Sequence, residues 1–344
     1  MEPITHFLTG ACLGRAGLNR KTGLATATLT LAAEAPDLDV LGRLKGPVFG
    51  FAHHRGFTHS FLGIVLVSAV VVGLMYLFWR LRGRKTSNPN LPPRWGLLFL
   101  FAYLAGLTHI LLDFTNNYGV RPFWPFSERW YSWDIVFILE PVLWIILTLG
   151  LLLPLLFSLV NHEIGSRRSG PQGRLAASLA LLGMVALWGV RDYEHRRAVN
   201  ALEAQLYRGA DPVRASAYPY WWNPFHWHGV AETHDFFATM PVDSLMPEVD
   251  PGGTMQIRYK PEETPASLAA KNSYLGRVYL DWARYPLVEV ETHAEAGGLE
   301  GYVVTFEDLR YAYPEIAGRG ALSASVELDH NLSVVSETFG SRSR

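Results

Sequence analysis

The sequence predicts an α-helical membrane domain of about six helices followed by a smaller β-rich soluble domain. Three observations predict this. Long uncharged runs crowd the first half of the 344-residue chain. The charge balance changes sign along it: residues 1–190 hold 16 Lys/Arg against 9 Asp/Glu, residues 191–344 hold 14 against 22. From Tyr218 onward the pattern turns to alternating or β-branched runs between Pro and Gly.

The apolar runs come in order. Ile4–Leu18 and Thr22–Ala35 are rich in Ala, Gly and Thr and flank a basic turn with Arg15, Arg20 and Lys21. They are expected to form a hairpin of two short helices packed through small residues. A cleaved signal peptide fits poorly, because Glu2 and His6 stand where a positive leader segment would be. Phe61–Trp79 has 19 residues without a charge, and Trp95–Leu112 has 18 with His109 as its only ionisable group. Ile135–Val160 has 26 interrupted only by Glu140; Leu175–Val190 has 16 and continues into a helical-looking Arg191–Leu206. A spanning helix needs about 20 mainly apolar residues, so these runs are read as membrane helices.

Basic residues collect in the hairpin tip, in 80–94 and in 165–174, which places those connections in the cytoplasm of a protein that crosses the membrane several times. Loops 36–60 and 114–134 and the chain after about residue 191 then face the other side. The expected organisation is a membrane-embedded domain at 1–192, a helical connector at 193–207, and an extracytoplasmic α+β or β-rich domain at 208–344. Ser273–Val278, Val288–Thr292, Tyr302–Phe306 and Ala321–Leu328 are its expected strands. The single cysteine, Cys12, excludes an intrachain disulfide and cysteine-based zinc or iron–sulfur sites. There is no basic surplus of the kind nucleic-acid binders carry, so no nucleic-acid partner is expected.

The chemistry-bearing residues converge on one membrane face. They are His6, then Asp37 and Asp39, then His53, His54, Arg55, Thr58, His59 and Ser60, then His109 and Asp113, then Asp134 and Glu140. His109 and Asp113 are four apart, on one face of a helix, and ionisable groups inside membrane segments are expensive and usually functional. Imidazole and carboxylate suit zinc or another divalent transition metal. The expected ligands are His6, Asp37, Asp39, His54, His59, His109 and Asp113, holding two zinc ions, with manganese as the other candidate. Arg55, Asp37 and Glu140 are the expected catalytic residues, Arg55 because guanidinium grips phosphate. His53, Thr58, Ser60 and Asp134 are expected behind the ligands. Plainer roles exist for single pieces: Pro36–Asp39 as a helix-ending turn, His53, His54 and His59 as a pH-sensing loop, His109–Asp113 as a proton relay.

The order of these pieces also resembles a family. Thr5-His6, Pro36-Asp37-Leu38-Asp39, His54-Arg55-Gly56-Phe57-Thr58-His59-Ser60, and Thr108-His109 with Asp113, Tyr118 and Gly119 look like the YdjM/YbcI-type inner-membrane metal-dependent hydrolases. These are similar in motif logic to the zinc-dependent phospholipase C and P1-nuclease group, which are all-helical with clustered His/Asp metal sites. The resemblance covers residues 1–160. Glu140 stands where the family pattern would have Asp before a proline. The resemblance implies hydrolysis and fixes no substrate. The expected function is metal-dependent hydrolysis of a phosphoester in a lipid or lipid-linked substrate, with membrane lipids as partners. A metal or proton transporter and a metal-stabilised, non-enzymatic scaffold are the alternatives.

Overall fold

A computed structural model describes residues 1–86, 88–163, 173–294, 300–313 and 322–340. The chain divides into two compact units: residues 1–39 with 55–192, and residues 40–54 with 193–344. Residues 40–54, expected to stay with the membrane domain, pack within the second unit instead.

The first unit is helical. Its helices are α1 (Pro3–Arg15), α2 (Ala25–Glu34), α4 (Gly63–Leu81), α5 (Trp95–Thr115), α6 (Pro141–Glu163) and α7 (Arg174–Glu203), the last continuing past Asp192 into the second unit. These are the six that the apolar runs predict. The 36–60 loop adds a short helix, α3 (Pro47–His53), and 3-10 turns at Ala35–Lys45 and Phe57–His59. Among the described residues, α4, α5 and α7 are long and apolar enough to cross a membrane, and Pro141–Phe157 is a shorter apolar helix. Arg167 and Arg168 of the 165–174 connection lie outside the described residues.

Each helix turns one stripe inward. On α5 the buried positions Leu98, Phe101, Ala102, Ala105, His109, Leu112 and Asp113 follow the three-to-four spacing of a single face. Leu98, Phe101, Ala102 and Ala105 pack with Leu29, Ala32 and Ala33 of α2 and with Val71 and Met75 of α4. A second cluster joins Cys12 of α1, Leu112 of α5, Leu143 and Leu147 of α6, and Met184 and Trp188 of α7. Small residues let α1 and α2 touch: a Cβ on Gly10 would lie 2.8 Å from the Leu29 carbonyl oxygen and from Thr30 Cα.

The run at Ile135–Val160 starts its helix later than its hydropathy suggests. Residues 135–140 are irregular, and α6 begins at Pro141, where a missing N–H costs nothing. The Ile135 and Val136 amides donate instead to the Thr115 carbonyl at the end of α5, at 3.0 and 3.1 Å.

The second unit holds two antiparallel sheets. β1 (Arg214–Pro219), β2 (His226–Glu232), β3 (Phe236–Asp243), β4 (Glu248–Val249) and β5 (Gln256–Tyr259) form one, with β4 and β5 both paired to β3. β6 (Pro286–Ala294), β7 (Glu300–Asp308), β8 (Ala324–Leu328) and β9 (Val334–Phe339) form a meander. Between the sheets lie α8 (Pro265–Asn272) and α9 (Tyr274–Trp282). The strand expected at Ser273–Val278 is therefore helical. Its local reason is capping: the Ser273 hydroxyl accepts from the Gly276 amide, and a Thr264–Ser267 capping box starts α8. Phe51 of α3 stacks on Phe339 at 4.2 Å and meets Trp282 edge-on at 5.3 Å, which is why 40–54 belongs here. Trp227, fully buried, donates to Ser244 Oγ and anchors the first sheet on Ala198 and Leu202 of α7. Residues 218–228 are rich in aromatic side chains and carry two histidines: His228 is buried with Nε2 2.9 Å from the Leu309 carbonyl, whereas His226 lies at the surface beside Asp243.

Replacing Gly10 by Val should separate α1 from α2. Overpacking of this kind costs about 1–3 kcal/mol, and a thermal unfolding scan in detergent should show a lowered midpoint. An unchanged midpoint would mean that the close approach at Gly10 is not used.

Candidate metal centre

The inward stripe of α5 ends in His109 and Asp113, so the packing that buries Leu98 and Ala105 also carries these two ionisable groups inside. Ala33 lies in the last turn of α2, where carbonyls lack intrahelical donors. Its oxygen is 2.6 Å from His109 Nδ1, which leaves Nε2 facing the cluster. Past α2 the chain turns through Pro36 and delivers Asp37. The His54–Ser60 segment returns through Arg55, whose φ of +54° turns the backbone sharply, and through the 3-10 turn ending at His59. Ser60 ties that turn to α4, its hydroxyl accepting from the Gly63 amide at 2.9 Å.

Four residues meet. One ligand-type atom from each of Asp37, His59, His109 and Asp113 lies within 4.8 Å of all the others. His59 Nε2 is 3.0 Å from His109 Nε2, 3.2 Å from Asp37 Oδ1 and 3.3 Å from Asp113 Oδ2. His109 Nε2 is 3.6 Å from Asp37 Oδ1 and 3.3 Å from Asp113 Oδ2. Bonds of about 2.0–2.2 Å to one zinc ion put two ligand atoms about 3–4.4 Å apart, so these five pair spacings match a single cation, which would draw the 4.8 Å span of the group inward by a few tenths of an ångström. Asp113 Oδ2 is buried 3.3 Å from each of the two Nε2 atoms, and those ring nitrogens also point at one another. A proton or a cation between them relieves that contact.

His6 completes the cluster from α1. It sits four residues before Gly10, on the face that packs closely, and its ring stacks on His109 at 3.7 Å. Its Nε2 is 3.5 Å from Asp113 Oδ1 and 4.0 Å from Asp37 Oδ2, and neither ring nitrogen has a hydrogen-bond partner among the described residues. Asp37 and Asp113 thus each turn one oxygen toward His59 and His109 and the other toward His6. The side chains of His6, His59, His109 and Asp113 are fully buried, and Asp37 is 19% exposed. Solvent meets the cluster at Asp37.

Asp39, expected among the ligands, stands behind His59 instead. Its Oδ2 is 3.3 Å from His59 Nδ1, accepts from the Arg55 amide at 2.8 Å and lies 3.4 Å from the Thr58 hydroxyl. A carboxylate on the far ring nitrogen fixes the tautomer and raises the basicity of the near one. Thr58, 3.1 Å from the same Nδ1, acts with it. Burial alone would depress the His59 imidazolium. Its hydrogen bonds to Asp113, Asp37 and Asp39 and the Asp113 charge outweigh that and push its pKa up to about 10. Burial opposes ionisation of Asp37, but the hydrogen bond from His59 and the charges on His109 and His6 hold it below the usual carboxylate range.

Arg55 is buried rather than held out for substrate. Nη2 is 2.8 Å from Asp113 Oδ1, Nη1 donates to Asn116 Oδ1 and the Gly119 carbonyl, and the guanidinium lies 4.8 Å over the Tyr118 ring. The Met1 amino group also contacts Asp113 Oδ1. Glu140 forms a buried ion pair with Arg191 at 2.6 Å, and burial raises its pKa despite that partner. Asp134 accepts from the Ser132 hydroxyl. His54 caps α3 and His53, exposed, stacks on Phe49; both fall in the second unit, outside the group of four. Asn116, not among the expected site residues, accepts from both Arg55 and the Tyr118 amide. Its signal in the sequence is an Asn pair directly after an apolar helix.

Two outcomes follow for binding. Asp39→Asn should weaken metal affinity by about 10–100-fold, as loss of a carboxylate behind a histidine ligand does, measured by competition with a chromophoric chelator. With His59 protonated below about pH 10, a metal must expel that proton, so affinity should rise with pH between 6 and 9. Calorimetry in buffers of different ionisation enthalpy should count a proton released per site; pH-independent uptake would contradict it.

The model of the YdjM inner membrane protein family matches residues 1–198, more than half of the chain. A relative from Bacillus subtilis (strain 168), described as the uncharacterized protein YfhP, is 28% identical over 155 residues. That match covers 42% of this chain and 43% of the relative, so it spans less than half of the relative's length. No solved structure matches the chain. The family match contains all of His6, Asp37, His59, His109 and Asp113 and the three membrane-length helices α4, α5 and the start of α7. The chain is a membrane protein and belongs to the YdjM inner membrane protein family.

Proposed function

We propose that this protein is a membrane-bound, metal-dependent hydrolase that cleaves a phosphoester bond in a lipid or lipid-linked substrate. The observation that carries the reading is the burial of three imidazoles and two carboxylates around one point beside apolar helices, with Asp37 as the exposed edge. His59, His109, Asp37 and Asp113 would hold one ion. The second oxygen of Asp37, with His6, would hold another. Zinc suits this nitrogen and oxygen donor set, and manganese is the other candidate.

Bound metal would supply Lewis acidity, polarising a phosphoryl oxygen and making water acidic near neutral pH. The chain's own residues do the rest. Ala33 and Asp39 lock the His109 and His59 rings through their Nδ1 atoms, so the site needs little reorganisation. Arg55, buried against Asp113, offsets the charge of that carboxylate and fixes its orientation. Asp37, the accessible carboxylate, marks the edge at which water would enter and the proton it loses would pass to bulk solvent. Glu140 is engaged by Arg191 and takes no part in this scheme. In the orientation set by the basic connections, the site and the second unit face away from the cytoplasm of a bacterial inner membrane.

Elemental analysis of detergent-purified protein, followed by a panel of phosphodiesters and phospholipids, tests this reading. The wild type should carry zinc or manganese and release phosphate or a phosphorylated headgroup. Asp37→Asn and Asp113→Asn should lower turnover by at least about 10²-fold, equivalent to about 2.7 kcal/mol, with metal content reduced. Full hydrolysis by either variant, or by metal-stripped wild type, would refute the mechanism.

A further inference from the structure

A groove of about 370 Å³ runs beside the metal cluster, within the first unit. Leu31 of α2, Leu38 of the 3-10 segment, and Val71 and Leu74 of α4 supply its apolar wall; Glu34 and Asp37 supply its polar end. We infer that this groove holds one acyl chain of a membrane phospholipid whose phosphate lies at Asp37. The inference rests on the phosphoester reading and names the part of the substrate that the reading leaves open.

Four observations support it. First, Asp37 belongs both to the groove and to the metal cluster, so a molecule lying in the groove reaches the site without leaving the protein. Second, the wall is part of a membrane-length helix. At 1.5 Å per residue, Leu74 lies about 16 Å along α4 from Gly63, close to half of the ~30 Å hydrocarbon thickness. The cluster's His59 lies just before that helix. The groove therefore extends from the end of the helix toward mid-bilayer, the course of an acyl chain under its headgroup. Third, the α4 surface bordering the groove is apolar and open on a helix of membrane length: Val70, Leu74 and Leu77 are at least half exposed. A chain can enter sideways from the bilayer. Fourth, the groove is amphipathic in the order a phospholipid requires. Glu34 Oε1 is buried without a hydrogen-bond partner among the described residues and sits at the same end as Asp37. A glycerol or headgroup hydroxyl would satisfy it. Taking water's ~30 Å³ share of liquid volume as the size of a methylene, the space suits on the order of ten carbons.

The test is photocrosslinking of the full-length protein in nanodiscs made with a phosphatidic acid carrying a diazirine in mid-chain, mapped by peptide mass spectrometry. Label should concentrate on the peptides holding Leu31 and Leu74. Leu31→Trp, which fills the groove, should cut that labelling at least fivefold while metal stoichiometry stays at the wild-type value. Label spread evenly over the exposed faces of α4, α5 and α7, or labelling insensitive to Leu31→Trp, would overturn the groove assignment. The same holds if a diazirine polyprenyl phosphate labels these peptides and the phospholipid does not. Concentrated labelling in a protein that hydrolyses no phosphoester would uphold the groove as a lipid site and reject the hydrolase reading, so the two failures are separable.

Discussion

Burying the Asp113 carboxylate among apolar helices is the constraint on which the first unit depends. An ionised carboxylate removed from water costs several kcal/mol unless opposite charge and hydrogen-bond donors surround it. Arg55, the Met1 amino group, His59 and His109 all converge on its two oxygens. That demand shapes the backbone. Arg55 adopts a left-handed conformation to bring its guanidinium inward, and Asn116 and Gly119 hold the guanidinium from the other side. The segment after α5 stays irregular because its groups are engaged here and at the Thr115 carbonyl.

Helix packing then sets the precision of the cluster. Between membrane helices the hydrophobic effect gives little preference for one neighbour over another, and close approach of small residues does much of the selecting. Gly10 brings α1 against α2, and His6, one turn earlier on the same face, stacks on His109 as a result. Ala32 and Ala33 bring α2 against α5, and the free carbonyl of that last turn then meets His109 Nδ1. Gly106 admits the Ile64 side chain, which holds the start of α4, and so the His59 turn, against α5. Three helix contacts made by residues without chemistry thus orient three imidazoles.

The second unit follows a different logic. Its core is aromatic and its buried charge is locally paired, as with Arg310, which bonds Asp308 and the Trp282 carbonyl and lies over the Trp282 ring. The excursion of residues 40–54 gives it Phe51 as a packing partner from the N-terminal half of the sequence. The aromatic segment around Tyr218–Trp227 serves this core at Tyr218 and Trp227 and leaves Trp221 and Trp222 about half exposed.

The sequence alone determined the helical first half, because uncharged runs of membrane length have few other stable forms once backbone polar groups must pair within the segment. It also grouped His6, Asp37, Asp39, His54, His59, His109 and Asp113 as expected ligands, with the four-residue His109–Asp113 spacing on an apolar helix, costly unless used, as the firmest part. Tertiary structure decided what each of them does. Asp39 differs from Asp37 by two residues and lies on the opposite side of the His59 ring, a distinction made by the 3-10 path of Ala35–Lys45 rather than by residue type. Arg55 and Glu140 are buried ion-pair partners because packing placed Asp113 and Arg191 against them, and pairwise burial is invisible in a one-dimensional pattern. The helix at Tyr274–Trp282 replaced an expected strand for a local reason, a serine cap that outweighed β-branched spacing. Residues 40–54 left their sequence neighbours because a single phenylalanine finds its apolar surface almost three hundred residues away, and no periodicity encodes that distance.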